Sequence, residues 1–358
     1  MYPFTTTDEG AHTFTGEPVI MKTASSAALD KYIKVEDTNV ASGISSHEID
    51  LTVNPGEAAE LKVEGINNPS KAGDDQTVTV TVYDKVWGDW GNKVKDYTGK
   101  VLFSSDDTAL TKGDGLPIDY TFVTADEGDH NFTDEVKMKT VGSWYVKAED
   151  TVTAGGVWGW QQNIDVNPGD LDHFVVSGLP DSYTAGITTG IVVEVQDEFN
   201  NTKTDYYDEI EFLSDDTHSS VDLPSDYTFT TGSGKDNGTH WFKGLSSTDT
   251  VKLCTVGSRY VRARDKTFTT KTGQQDVTVT AADATSFEIT ISTNLTAGVA
   301  VNVTVKAIDD YGNKDEEYHN QDVSFDSNNG TKGTDWTGAN GTVTTGETQF
   351  NNWITMNK

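Results

Sequence analysis

The chain has 358 residues, enough for two or three cores of ordinary domain size. Its formal net charge of −31 sets it against nucleic-acid phosphates and anionic lipid, and its one cysteine, Cys254, excludes an internal disulfide framework. No run of about 18 apolar residues exists to span a membrane, and "MYPFTTTDEG" is strand-like, so an export signal is expected to have been removed or to lie outside this sequence.

The opening phrase "YPFTTTDEGAHTF" (2–14) returns as "YTFVTADEGDHNF" (120–132) and, more loosely, as "YTFTTGSGKDNGTHWF" (227–242). "MKT" at 21–23 and 138–140 becomes "LCT" at 253–255, and "YIKVED" (32–37), "YVKAED" (145–150) and "YVRARD" (260–265) are one element. "VNPG" stands at 53–56 and 166–169, "KAG" or "TAG" at 71–73, 184–186 and 296–298, and "FSSDD" (103–107) recurs as "FLSDD" (212–216) and "FDSNN" (325–329). The offsets, on the order of 110 residues, fit a small sandwich domain rather than a solenoid repeat.

Within a unit, "QTVTVTVYD" (76–84), "TGIVVEVQD" (189–197) and "VAVNVTVKAID" (299–309) alternate apolar and polar residues, the mark of half-buried strands. About seven strands per unit are predicted. In the second unit these are A (58–65), B (76–84), C (100–105), D (118–124), E (130–139), F (144–149) and G (160–166). The spacing predicts an all-β chain of tandem antiparallel Greek-key sandwiches. Proline cannot donate to a ladder and glycine permits a sharp turn, so boundaries fall after "VNPG". This gives complete sandwiches at 55–167 and 168–282. Residues 1–54 hold strands D to G alone, and 283–358 hold A to E alone.

The pattern "TAG…V-V-V-x-D-x-(Y/F)-(G/N)-N", read as "TAGITTGIVVEVQDEFNN" and "LTAGVAVNVTVKAIDDYGN", resembles the bacterial and archaeal Ig-like repeats of surface proteins, of the invasin and intimin type. The resemblance implies an extracellular, rod-forming, non-enzymatic array. The Cys–Trp–Cys core of antibody domains is absent.

No catalytic constellation is found. His12, His130 and His240 occupy equivalent places, where the fourth copy has Thr348, which points to a structural or surface role. His47, His173, His218 and His319 show no metal-ligand spacing. Acidic residues recur after strand B (Asp84, Asp197, Asp309 with Asp310), between D and E (Asp8 with Glu9, Asp126 with Glu127) and after F (Glu36 with Asp37, Glu149 with Asp150, Asp265). The B–C, D–E and F–G loops of a Greek-key sandwich converge at one end, and a hard cation wants about six to eight oxygens. Calcium at the domain junctions is therefore one expectation, and a solvated acidic surface with aspartate as turn former is the other. "VWGDWGN" (86–92) and "GGVWGWQQN" (155–163) place tryptophans in the B–C and F–G regions of one domain, suited to glycan, to another protein or to a local minicore. Sequons stand at Asn131, Asn200, Asn237, Asn294, Asn302, Asn329 and Asn340, compatible with a glycoprotein. Cys254 is expected to point outward, by alternation with Val251 and Leu253.

The two end segments are complementary. "KYIKVED" and "HEIDLTV" supply strands F and G, which 283–358 lacks. Strand addition between copies would bury Ile33, Val35, Ile49, Leu51 and Val53 against Val303, Val305, Val323 and Phe325. The expected function is thus a subunit of a cell-surface filament or array, a homopolymer joined head to tail. An adhesin stalk that binds glycan or a host protein through its tryptophans is the alternative, and an excerpt of a longer array would show the same ends. No cofactor other than calcium, no nucleic acid and no membrane insertion is expected.

Overall fold

The computed structural model describes residues 2–15, 19–25, 31–38, 43–84, 91–152, 156–245, 248–291, 294, 296, 299–319, 321–323, 336–337, 341–343 and 346–356. The chain is all-β and divides into two compact units, Met1–Asn167 and Pro168–Lys358.

The first unit contains a complete sandwich. Strands A (Ala58–Glu64), B (Gln76–Asp84) and E (Asp129–Val136) form a three-stranded sheet with B in the middle. The facing sheet has five strands in the order Ser70–Lys71, G (Val157–Asn167), F (Gly142–Asp150), C (Lys100–Ser105) and D (Tyr120–Thr121). Alternation decides which side chains meet. Val78, Val80 and Val82 of strand B point inward with Leu61, Val146 and Ala148, all at 0% exposure, and burial of each valine or leucine contributes about 1.5–3 kcal/mol. The second unit repeats the plan: A (His173–Ser177), B (Ile191–Gln196) and E (Thr239–Phe242) against Ser182–Thr184, G (Thr272–Thr280), F (Gly257–Asp265), C (Glu209–Ser214) and D (Tyr227–Thr228). The register is conserved between copies: Ala148 faces Phe103 and Ala263 faces Phe212.

The predicted strands lie close to the observed ones. One element was not legible: the A–B connector adds an edge strand parallel to the end of G, at Ser70–Lys71 and Ser182–Thr184. Two or three residues carry no periodicity. Strand A crosses G so closely that a Cβ on Gly159 would overlap the Leu61 carbonyl, and one on Gly273 the Phe174 carbonyl. Glycine at that position lets the two sheets touch.

The end segments differ from expectation. Among the described residues of 1–54, only Lys31–Glu36 and Ser45–Leu51 form strands, a two-stranded antiparallel sheet with Ile33 opposite Glu48. The described residues of the expected strands D and E form no strand; there is a 3-10 turn at Thr6–Asp8. The reason is pairing: F and G pair with each other, whereas E pairs with a strand B that this segment does not contain. In 283–358, Ser286–Ile291 (A), Ala300–Ile308 (B), Glu347–Met356 (E) and Trp336–Thr337 form one sheet, and Gln321–Val323 pairs with Gly341–Val343.

Cys254 corrects the alternation argument. Leu253 and Cys254 are both at 0% exposure. Strand E ends at Phe242, and the later pair Val251–Lys252 belongs to a different two-stranded sheet. Beyond it the amides of Cys254 and Thr255 both donate to Asp216, so the chain turns and two consecutive side chains face inward. Burial raises the thiol pKa.

Candidate functional site at the sandwich junctions

The aspartate that closes strand B acts as a hub of N–H donors. Asp84 accepts from the Gly56 amide (2.6 Å), the Asn92 amide (2.5 Å) and Asn92 Nδ2 (3.0 Å). Asp197 accepts from Gly169 (2.7 Å), Phe199 (2.9 Å), Asn201 (2.9 Å) and Asn201 Nδ2 (2.8 Å). Asp309 accepts from Ala282 (3.0 Å), Tyr311 (2.9 Å), Asn313 (2.8 Å) and Asn313 Nδ2 (2.9 Å). Each carboxylate thus fixes the linker that enters its sandwich against the B–C loop. Burial pushes the Asp84 and Asp309 carboxyls up, but the asparagine side chains and the backbone amides outweigh it and hold both below the usual carboxylate range.

The oriented asparagine then reaches the preceding segment. Asn92 Nδ2 donates to the Lys22 carbonyl (3.0 Å), and the Ala24 amide donates to Asn92 Oδ1 (2.7 Å). In the second unit Asn313 Nδ2 donates to the Cys254 carbonyl (2.7 Å), and the Val256 amide donates to Asn313 Oδ1 (3.0 Å). One carboxamide therefore pairs with residues i and i+2 as a strand neighbour would, at equivalent places in "MKTA" and "LCTV". Tyr311 packs on the core of the preceding sandwich, over Gly186, where a Cβ would overlap its ring. Asn313→Ala should leave the Val256 amide and the Cys254 carbonyl unpaired at a cost of about 1–3 kcal/mol. Hydrogen exchange at Val256 should speed up at least about tenfold, with Val193 unaffected; equal rates would show that the tie is not formed in solution.

The remaining residues expected to hold calcium are dispersed. Asp150 accepts from the Tyr97 hydroxyl (2.6 Å) and the Val152 amide, and Asp265 from the Tyr206 hydroxyl (2.6 Å) and the amides of Thr267 and Phe268. Asp126 meets Tyr120, His130 and the Val123 amide. Glu127 lies near Lys95, Glu149 pairs with Lys147, Glu36 with Lys34, and Asp310 accepts from Thr285. The Asp37 amide donates to the Ile44 carbonyl. Among the described residues no group of three or more His, Cys, Asp or Glu could hold a metal ion. N–H and O–H dipoles aimed at the inner carboxylates present positive charge where a cation would need oxygen, so these residues do not fit a calcium ion. Millimolar Ca²⁺ should therefore raise the melting temperature no more than matched Mg²⁺; a larger, saturable Ca²⁺ shift would return the ion to the junctions.

Two recurring side-chain sets were missed by the sequence reading. Tyr2, Asp8 and His12, then Tyr120, Asp126 and His130, then Tyr227, Asp236 and His240 build the same clasp. The histidine Nδ1 lies 2.8, 3.2 and 2.7 Å from the aspartate, and its ring lies 3.8, 3.9 and 4.0 Å from the tyrosine ring. The second set is the last aspartate of "SSDD" and "LSDD". Asp107 holds the amides of Lys139 and Thr140 and the Thr140 hydroxyl, and Asp216 holds those of Cys254 and Thr255 and the Thr255 hydroxyl. The repeated phrases contained the signal; nothing in them told which partner lay across the sandwich.

Trp158 and Trp160 lie on strand G and are exposed on its outer face, while Trp87 and Trp90 fall outside the described residues. Asn131, Asn200, Asn294 and Asn302 are exposed. Asn237 is half-buried and donates to the carbonyls of Gly232 and Lys235, so a glycan there would break both bonds. Asn329 and Asn340 lie outside the described residues. Of the expected interface, Ile33, Leu51 and Val53 are half-buried and Val35 is exposed, whereas Val303, Val305 and Val323 are buried within their own segment. The Ile49 side chain and Phe325 lie outside the described residues.

No family model matches the chain, and no curated protein does. Among solved structures it is similar to invasin, a bacterial integrin-binding protein, at 15% identity over 74% of this chain, with a TM-score of 0.30. It is similar to the Escherichia coli adhesin FdeC at 16% identity over 85% of this chain and 91% of that one, with a TM-score of 0.32. It is also similar to domains 4–9 of the surface layer protein SbsC at 18% identity over 85% of this chain and 44% of that one, with a TM-score of 0.24. Family 2 glycosyl hydrolases match as well. The chain spans 49% of the length of the invasin chain it matches.

Proposed function

We propose that this chain is an extracellular structural protein of a cell surface. In this reading it is a non-enzymatic rod of Ig-like sandwiches whose copies join head to tail by β-strand complementation into a filament or array. The observation that carries the reading is a pair of matching exposures. In both complete sandwiches the inward residues of strand A (Leu61, Val63, Phe174, Val176) are at most 5% exposed, and Ala148 and Ala263 of strand F are at 0%. The corresponding residues of the end segments are bare: Phe287 at 45%, Ile289 at 58% and Val35 at 68%. Among the described residues, the first segment pairs F with G without a strand A over them, and the last carries A without a strand G beneath. A two-stranded sheet alone is marginal in water, and an uncovered apolar sheet face recruits a partner.

Ladder hydrogen bonds supply the affinity of such a joint and alternate side chains its register. A heterologous contact that does not close makes a filament. In the register of the complete sandwiches, Val35 meets Phe325 of the next copy. The strand-E phrase occurs at both ends, at 11–23 and 347–356; the described residues of the first form no strand, so Glu347–Met356 serves as E in the joint. Negative-stain microscopy of the full chain should show filaments one domain wide that lengthen with concentration. Monodisperse particles at millimolar concentration would overturn the reading.

A second reading, glycan binding, has one specific observation in its favour. The rings of Trp158 and Trp160 are 5.5 Å apart at 78°, Tyr145 lies 5.5 Å from Trp160, and Lys147 stands 5.3 Å from the Trp158 ring. An exposed aromatic row with hydrogen-bonding neighbours suits stacking on sugar rings. A glycan-array signal that Trp160→Ala weakens at least about tenfold, worth about 1.4 kcal/mol, would support it; an unaltered signal would remove it.

A further inference from the structure

The first unit has an open pocket of about 420 Å³ between the end of "MKT" and the end of strand G, lined by Ile20, Met21, Val53, Asn54, Asp84 and Asn92 among others. In both complete sandwiches the same place is filled by an alanine-glycine turn. The Ala72 amide donates to the Asn167 carbonyl (2.9 Å) and the Gly73 amide to the Met138 carbonyl (2.9 Å). The Ala185 amide donates to Thr280 (2.8 Å) and the Gly186 amide to Leu253 (2.8 Å). In each case the residues before the turn run parallel to the end of strand G, Ser70 beside Val166 and Ser182 beside Thr278. By the repeat, Asn54 corresponds to Asn167 and Thr280, and Met21 to Met138 and Leu253. Neither the Met21 nor the Asn54 carbonyl accepts a hydrogen bond among the described residues.

The phrase of these turns occurs three times in the sequence, at 71–73, 184–186 and 296–298. The first two are seated in their own sandwiches. The third precedes strand B of the last segment, whose described strands include no counterpart of G for the Ala297 amide to reach. Ala297 and Gly298 lie outside the described residues; as a phrase, the third Ala-Gly pair matches the partner that each of the two complete sandwiches seats at the place where the Met21 and Asn54 carbonyls stand.

We propose that this pocket is the seat for residues 294–298 of a second copy of the chain. Residues 294–296 add in parallel along 52–54, the Ala297 amide meets the Asn54 carbonyl, and the Gly298 amide meets the Met21 carbonyl. Glycine is required at 298 for the reason seen at Gly186, where φ is +80° and the following B–C loop lies directly on the α-carbon. Asp84 and Asn92 line the seat on that side. The inference rests on the head-to-tail reading and narrows it to one contact.

In the templates Thr278 faces Ser182, so Thr52 should face Asn294, and both are exposed. Full-length Thr52→Cys and Asn294→Cys chains, made in a host that does not glycosylate, are mixed and oxidised. Neighbouring strands lie within disulfide range. A disulfide-linked heterodimer should form in large excess over the control mixture of Thr52→Cys with Thr270→Cys. Adding Gly298→Val to the Asn294→Cys chain should cut the yield at least about tenfold, about 1.4 kcal/mol. Light scattering on the same samples separates the two failures. Assembly without the disulfide, or with a yield that ignores Gly298→Val, overturns the seat and leaves the head-to-tail reading standing. No assembly and no disulfide overturns both.

Discussion

Deleting residues 1–54 should abolish assembly and leave both complete sandwiches folded. The deleted segment carries Ile33, Val35, Ile49, Leu51 and Val53. Val35 is exposed and Ile33, Leu51 and Val53 are half-buried, so at about 1.5–3 kcal/mol per full burial the joint gains roughly 5 kcal/mol gross from these four before the cost of ordering. A milder variant tests the same joint without shortening the chain. Val35 is 68% exposed, so Val35→Glu should do little to an isolated chain. In the joint it would bury an unpaired carboxylate, at a cost of about 3–5 kcal/mol. The concentration for half-assembly should then rise by more than about a hundredfold. A peptide of residues 29–54 should cap growing ends and shorten filaments. If the truncated protein still forms filaments of normal length and geometry, the chain ends are not the joint.

Asp216→Ala should lower the melting temperature of the second unit by roughly 15 °C. Asp216 is 6% exposed and accepts from the Cys254 amide (2.6 Å), the Thr255 amide (2.8 Å), the Thr255 hydroxyl (2.6 Å) and the His218 amide (3.2 Å). Removing the carboxylate leaves these donors unpaired at about 1–3 kcal/mol each, and one kcal/mol is worth about 4 °C or more in a domain of this size. The same group has a pH signature. Burial pushes the Asp216 carboxyl up, but the Thr255 hydroxyl and the amides of Cys254, Thr255 and His218 bring it net below the usual range. A carboxyl whose folded pKa is depressed gives stability that is present above its unfolded value, near ~3.9, and is lost as pH falls through the folded value. Asp84, Asp126, Asp236 and Asp309 are shifted in the same direction. The native chain should therefore lose stability steeply below about pH 4, and the Asp216→Ala curve should be flatter there. Parallel curves would mean that Asp216 does not titrate with folding.

The mutual position of recurring residues follows from one rule, that the two faces of a strand alternate. "QTVTVTVYD" could be read because Val78, Val80 and Val82 carry the period in themselves. Alternation fails at Cys254 because the strand ends at Lys252 and the chain then turns to donate to Asp216. The acidic clusters were legible as recurrences and not as chemistry. A carboxylate beside N–H donors and one beside other oxygens look alike in sequence, and only the fold aimed the amides of Gly56, Gly169 and Ala282 at Asp84, Asp197 and Asp309.

The repeat and most strands are written in the chain itself, because period-2 burial and turn residues are local properties. Tertiary structure alone decided that Asn92 and Asn313 bridge to Lys22 and Cys254. It placed Trp158 and Trp160 on the outer face of strand G and set the carbonyls of Met21 and Asn54, without a hydrogen bond among the described residues, beside a pocket. Those are pairings between residues tens of positions apart, and a hydrogen bond depends on where the partner lies in space, which no local pattern encodes.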